Sequence, residues 1–436
     1  MQGIGSIRAT DSGAAVSVAK MTLLTDAKKA VRLVRRAARR RRVIESVERE
    51  FRALPPLERG RYRIAVYFAD RAVNAYQIRQ WYAPLVELGE RHPILVLARS
   101  ASGARMLLED GALPVTYVPT ITSVEETLDE QDVRIVLYVN QNRRNFQMFR
   151  YGHRWHVFIN HGESDKAYMV SSQHKAYDYA FVAGRAARDR LASTLWDYDV
   201  DRRTFEIGRP QTDHMTGNPP YERDHRTVVL YAPTWEGDRR SMSYGSVVTH
   251  GEALVKRLVA DPRYRLVYRA HPRTGVLDPD YLAAHERIVD AIAEANRADP
   301  TAHHVHDVDP EMGWQLTSAD VAISDVSAMV YDRLATGKPL LVTRPADPDA
   351  VIDERGYLSA CEWLTVEAAQ QVEREISRVQ EDPDTTARLQ WWVEHHFGDA
   401  RPGEPTARFH AAIEELMSQW EERQTMLARG SLHGVA

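Results

Sequence analysis

The sequence predicts an α/β protein built from two successive parallel-sheet domains. Short β-branched apolar runs recur along the chain and alternate with stretches of helical periodicity, which is the rhythm of βα units. Strands alternating with helices of this length imply a parallel sheet covered on both faces. A chain of 436 residues exceeds one typical hydrophobic core, and 44% hydrophobic residues can fill two.

Residues 1–25 mix Gly, Ser, Ala and Thr without periodicity and read as a disordered leader. Residues 26–57 read as a basic amphipathic helix. From Lys28 to Arg42 nine basic residues stand with no acidic one between them, interleaved with Val31, Val34 and Ala38 and followed by Val43, Ile44, Val47 and Phe51. Such a helix suits an anionic membrane surface, where each Lys or Arg contributes ~1 kcal/mol. The alternative is a solvated face whose thin apolar stripe packs on the first domain or on a partner subunit, which leaves a homo-oligomer open.

The first folded domain is expected over 58–217. Strands at Ile64–Phe68, Ile94–Ala98, Val115–Val118 and Arg134–Val139 alternate with helical stretches at Ile78–Leu88, Arg105–Glu109 and Ser123–Glu130, and Trp155–Asn160 and Ala176–Gly184 continue the series. After the first strand stands Ala69-Asp70-Arg71, not a glycine-rich dinucleotide fingerprint, so NAD or FAD chemistry is not expected. Asn218-Pro219-Pro220 has neither helix nor strand character and reads as a linker. The second domain, 221–400, repeats the rhythm with strands at Thr227–Tyr231, Arg265–Tyr268, His303–Val305, Val321–Ile323 and Leu340–Val342 and helices at Val247–Val259, Pro279–Ala298 and Met312–Thr317. Within 401–436, Thr406–Leu427 forms a long helix with Phe409, Ile413, Leu416 and Trp420 on one face, expected to return to the first domain.

Composition excludes several classes. A net charge of −4 and a pI near 6.5 argue against a general nucleic-acid binder. One cysteine, Cys361, permits neither an intramolecular disulfide nor a thiolate metal cluster. No segment approaches ~18 uninterrupted apolar residues, and the N-terminus lacks a signal-peptide pattern, so the expectation is a protein on the cytoplasmic side. His303, His304 and His306 invite a metal reading but lack a partner cluster and read as an edge strand.

The chemistry gathers at predicted strand ends. Val321–Ile323 runs into Ser324-Asp325-Val326-Ser327, then into a helix with Met329, Val330, Leu334 and Ala335 at helical spacing, closed by Gly337. In open parallel sheets ligands bind beyond the carboxyl ends of strands, where helix N–H groups attract anions; simple helix capping by Ser327 or Asp325 is the alternative. His161-Gly162 follows another strand, pairing an imidazole that titrates near neutrality with a residue that lets backbone approach a ligand. A satisfied structural histidine would look the same. Arg269, with His271 two residues on, offers a planar donor fork suited to phosphate, or a solvated strand-end arginine.

Ser324-Asp325-Val326-Ser327-Ala328-Met329-Val330-Tyr331-Asp332 resembles the signature of the CDP-glycerol glycerophosphotransferase family, which primes or polymerises teichoic acids. His161-Gly162-Glu163-Ser164-Asp165-Lys166 is similar to the family's His-Gly motif, with Glu-Ser-Asp in place of its Thr-Pro-Leu centre. Ile207-Gly208-Arg209-Pro210-Gln211-Thr212-Asp213 resembles its Gly-x-Pro-Arg-x-Asp loop, with Gln211 where the arginine stands and Arg209 two residues earlier. Ala232-Pro233-Thr234-Trp235 and Arg269-Ala270-His271-Pro272 match two further motifs in the same order. The resemblance implies a GT-B fold, two Rossmann-like domains facing a cleft, and transfer of an alditol phosphate from a CDP-linked donor such as CDP-glycerol to a lipid-linked or polymer acceptor.

It further implies His161 as general base, Arg269 and His271 at the diphosphate leaving group, and Gly162, Glu163, Ser164, Asp165, Arg209, Pro233, Thr234, Ser327, Ala328 and Asp332 around the donor, Ala328 replacing a family serine. A divalent cation on the donor diphosphate stays open. The alternatives are a nucleotide-sugar glycosyltransferase or epimerase on the same fold, and a non-catalytic scaffold at the cell envelope. A lipid-linked acceptor would place the protein peripherally on the inner face of the membrane.

Overall fold

The structure is a computed structural model that describes residues 38–39, 41–162, 171–309, 312–352 and 356–433. Its first sheet joins β1 (Ile64–Phe68), β2 (Ile94–Ala98), β3 (Val115–Tyr117), β4 (Ile135–Tyr138), β5 (Trp155–Phe158), β6 (Tyr179–Val182) and β7 (Thr204–Glu206) in the order β3-β2-β1-β4-β5-β6-β7. All its pairings are parallel, with Ile64 opposite both Ile94 and Ile135. The second sheet joins β8 (Thr227–Ala232), β9 (Tyr264–Tyr268), β10 (Val305–His306), β11 (Val321–Ser324), β12 (Leu340–Thr343) and β13 (Trp363–Leu364) as β10-β9-β8-β11-β12-β13, again parallel. Every residue of β1, β2, β9 and β11 is buried, as sheets covered on both faces require. In each sheet the winding direction reverses once, at β1/β4 and at β8/β11, and a crevice for ligand opens at such a switch point.

The helix expected over Ile78–Leu88 is two pieces, Tyr76–Arg79 and Tyr82–Gly89. Pro84 lacks an N–H and its ring would meet the carbonyl of residue 80, so a single helix cannot pass through it. The helix expected from Val247 opens as one wide turn, Val247–Gly251, before the α-helix Glu252–Ala260. There a Cβ on Gly251 would meet the Tyr231 hydroxyl at 2.9 Å. The edge strand expected over His303–Val305 is shifted, β10 being Val305–His306: His303 takes the left-handed region at φ 48°, His304 Nδ1 accepts the Leu266 N–H at 3.0 Å just before the strand, and His306 stacks on Tyr268.

Two C-terminal helices tie the halves together. Pro383–Phe397, of the second domain, packs against Arg185–Thr194 of the first. A Cβ on Gly184 would come 2.6 Å from the His396 carbonyl oxygen, so a larger residue there would push the helix away. Glu404–His433 then returns to the first sheet, burying Phe409, Ile413 and Leu416 in its core. Each such side chain contributes roughly 1.5–3 kcal/mol. Asp213 anchors the start of that helix by accepting from the N–H of Gly403 and from the N–H and hydroxyl of Thr406.

The helix over 41–52 belongs to the same core: Val47 is fully buried, Val43, Ile44 and Phe51 pack beside it, and Arg105 bonds to Glu50 and Ser46. The apolar stripe of the basic segment therefore serves the fold over this stretch. Lys28, Lys29, Arg32, Arg35, Arg36 and Arg40, with the 1–25 leader, lie outside the described residues. Among the described residues no helix is long and apolar enough to cross a membrane.

Candidate functional site

Beyond β5 the backbone turns sharply, with Asn160 in the left-handed region at φ 55°. Its side-chain amide donates to the Gly162 carbonyl at 2.7 Å, and the Trp81 indole N–H donates to its own carbonyl, so the turn is held from both sides. The next residue is His161. Its Nδ1 lies 3.1 Å from the Val139 carbonyl, at the end of β4, and its ring meets Tyr76 edge-on with centroids 5.7 Å apart. A carbonyl only accepts, so Nδ1 carries the proton and Nε2 keeps its lone pair. Burial pushes the imidazole pKa down and Arg209 adds to this, while the Val139 carbonyl and Asp70 oppose it. The net downward shift favours the neutral ring.

His161 borders an open pocket of about 420 Å³ at the β1/β4 switch point, lined with Asp70, Gln77, Asn140, Asn142 and Arg143. Asp70 organises it: one carboxylate oxygen accepts from the Asn140 and Asn142 amides at 2.8 Å each, the other from Asn74 at 2.9 Å. The Asn140 amide also donates to Gln77 Oε1 at 2.6 Å. Sequence reasoning passed over these residues. Their signal was positional, polar side chains directly after the two strands that flank the switch point.

Across the cleft, the ends of β8 and β11 are stapled by Asp325. This fully buried carboxylate accepts from the N–H groups of Thr234 at 2.7 Å and Ser246 at 3.0 Å and from the Thr343 hydroxyl at 2.5 Å. Burial pushes its pKa up to about 6, against the pull of these bonds. Asp325 fixes the Pro233-Thr234 turn and does not itself face the cleft. Ser327 caps the helix Ala328–Leu334, its hydroxyl accepting the Met329 N–H at 3.3 Å, with Ala328 exposed beside it.

Two of the arginines implied by the resemblance are paired. Arg209 Nη2 contacts Asp332 at 2.6 Å, which brings those residues together from opposite domains. Arg269 Nη1 donates to the buried Asp307 carboxylate at 2.5 Å, which the Gln315 amide also holds at 2.8 Å. His271 Nδ1 accepts the Arg273 N–H at 3.1 Å, so its neutral ring carries the proton on Nε2. Burial lowers its pKa, Arg273 adds to this, and Glu236 opposes. Glu163, Ser164 and Asp165 lie outside the described residues. Among the described residues no group of three His, Cys, Asp or Glu is placed to hold a metal ion.

The architecture recurs in solved structures. The wall teichoic acid polymerase TagF aligns with a TM-score of 0.53 at 12% identity, covering 92% of this chain and 99% of that one. The UDP-GlcNAc 2-epimerase from Neisseria meningitidis aligns with 0.53 at 15% identity, covering 82% of this chain and all of the other. At such identities the likeness concerns the fold, which is GT-B-like in both. No curated protein matches the chain. The sequence profile of the CDP-glycerol:poly(glycerophosphate) glycerophosphotransferases matches residues 159–388, a span that runs from the β5 turn through the cleft to the helix that rejoins the two domains, and the chain belongs to that family.

Proposed function

We propose that the protein transfers an alditol phosphate, glycerol phosphate in the first instance, from a CDP-linked donor to a hydroxyl of a cell-envelope polymer acceptor of the teichoic acid type, releasing CMP. One observation carries this: His161, its Nδ1–H held by the Val139 carbonyl and its Nε2 unprotonated, borders a polar pocket at the β1/β4 switch point. In the reaction an acceptor hydroxyl held in the Asp70–Asn140 pocket attacks the phosphorus that bears the alditol. Its proton passes to His161 Nε2 as the new P–O bond forms. The bond to CMP breaks, and its electron pair leaves on the CMP phosphate, toward which His271 Nε2–H can donate. Pro233, Thr234 and the Ser327 turn border the nucleotide side.

The basic residues between Lys28 and Arg42 support attachment to an anionic membrane surface, where a lipid-linked acceptor would be presented. The test is acceptor-dependent product release from purified protein. CMP from CDP-glycerol is expected, whereas UDP from a nucleotide sugar would replace this reading with a glycosyltransferase or epimerase, and no turnover with any nucleotide would leave a scaffold.

A further inference from the structure

The resemblance points to Arg269 as the guanidinium that meets the donor's diphosphate, but in the fold its charge is already met. Asp307, its partner, has a side chain only 2% exposed, and Arg269 is 15% exposed. Pulling Arg269 toward a ligand would leave a buried carboxylate with only the neutral Gln315 amide and Asp309 N–H as donors, at considerable cost. Four residues on stands a guanidinium in the opposite situation. Arg273 is exposed and makes no ion pair with a carboxylate among the described residues, and its Cζ lies 3.6 Å from the centroid of the Trp235 ring. That contact holds a planar cation in place without neutralising it.

Its surroundings are built to keep it there. Glu236, next to Trp235 and itself buried, accepts from the N–H groups of Gly275 at 3.0 Å, Leu277 at 2.7 Å and Asp278 at 3.1 Å, tying the loop after β9 to the loop after β8. Gly275 takes φ 74°, and a Cβ there would strike Leu282 at 2.7 Å, so the loop lies flat on the helix Pro279–Ala298. On the other side the Arg273 backbone N–H donates to His271 Nδ1 and leaves the ring proton on Nε2, while the His271 ring lies 6.4 Å from Trp235 with planes 29° apart. His271, Trp235 and Arg273 thus present two adjacent donors on one aromatic support at the carboxyl edge of the second sheet.

We propose that Arg273, laid on Trp235 beside His271, is the residue that binds the diphosphate of the nucleotide donor, and that Arg269 is a structural partner of Asp307. The proposal rests on the reading of the second sheet's edge as the donor side. A bidentate guanidinium gains most from two phosphate oxygens, so the contact distinguishes CDP from cytidine.

Titration of the full-length protein with CDP, cytidine and inorganic diphosphate tests it, with thermal unfolding followed in parallel. Arg273→Gln is expected to weaken CDP and diphosphate at least tenfold, leave cytidine unchanged and leave the Tm near that of the parent. Arg273→Lys should recover only part of the loss. Arg269→Gln is expected to lower the Tm, because it strands Asp307. Equal CDP affinity in Arg273→Gln and parent overturns the proposal while leaving the donor reading intact. Diphosphate binding that depends on Arg273 in a protein that ignores CDP overturns the donor reading and the proposal with it, and leaves only an anion site at Arg273. If neither CDP nor diphosphate binds the parent, both fall.

Discussion

Arg209 and Asp332 form a 2.6 Å ion pair between the loop after β7 and the helix after β11, joining the two halves of the molecule at their cleft. The pair is well shielded, with side chains 11% and 22% exposed, and two further buried donors of Arg209, Nε and Nη1, find no partner among the described residues. Removing one member of such a pair leaves an uncompensated charge and typically costs 3–5 kcal/mol when burial is complete, so about 2–3 kcal/mol is expected for Asp332→Asn at this partial exposure. The double variant Arg209→Met/Asp332→Asn should recover part of that loss. Thermal unfolding of the three proteins measures the coupling; additive changes would show that the two residues touch without holding the domains.

His161 lies within the field of that arginine, and burial with Arg209 lowers its pKa below the ordinary value near 6.5. A base must be unprotonated, so activity should be present above the lowered pKa and be lost as pH falls through it. The acid limb of kcat/KM is therefore expected below pH 6.5. His161→Ala should reduce turnover by ~10²–10⁴-fold with little change in CDP affinity. Tyr76→Ala, which uncovers the ring, should move the limb upward toward pH 6.5. A limb that stays in place in Tyr76→Ala would assign the titration to another group.

Asp325 makes the opposite prediction. Its folded pKa, about 6, lies above that of an unfolded aspartate near 3.9, so the protonated form is favoured by folding. The associated stability is complete below about pH 4 and is lost as pH rises through 6. Asp325→Asn can keep both N–H acceptances on its carbonyl oxygen and donate its amide to Thr343 Oγ1, so it should fold and lose this pH dependence. Asp325→Ala leaves the Thr234 and Ser246 N–H groups buried and unpaired and should cost roughly 2–5 kcal/mol. Chemical unfolding between pH 4 and 7 compares the three; a parent protein with flat stability across that range would refute the assignment.

What could be read from the sequence follows from the kind of physics involved. Buried parallel strands are continuous apolar runs, so β1 and β2 appear with their observed limits, and the Asp278-Pro279-Asp280 start marks the helix Pro279–Ala298. The sheet-edge strands β7 and β13 did not appear, because Thr-Phe-Glu and Trp-Leu are too short and mixed to carry a period. At the site, local motifs found His161, Thr234 and Ser327, whose surroundings are made by nearby backbone. Pairings between distant segments were beyond such reading. Nothing near Arg269 announces Asp307, and nothing near Arg333 announces that its buried guanidinium donates to the carbonyls of Leu316, Ala319, Asp320 and Pro339.

The fold limits how membrane attachment can be tested. Deleting residues 1–55 would remove Val47 and Phe51, which pack in the first domain's core, so loss of activity would report unfolding and not detachment. The informative variants delete residues 1–37 alone, or replace Lys28, Lys29, Arg32, Arg35 and Arg36 by Gln, and leave the 41–52 helix in place. Attraction of exposed cations to anionic lipid is screened over a Debye length of ~10 Å at 0.1 M salt and adds ~1 kcal/mol per residue, so five substitutions should reduce vesicle binding by several orders of magnitude at low salt. The parent protein should sediment with phosphatidylglycerol vesicles at low salt and be released at high salt. Both variants should stay in solution, with turnover on a soluble acceptor analogue unchanged. Equal sedimentation of parent and variants would remove the membrane from the account and leave the basic segment to the fold or to a subunit contact.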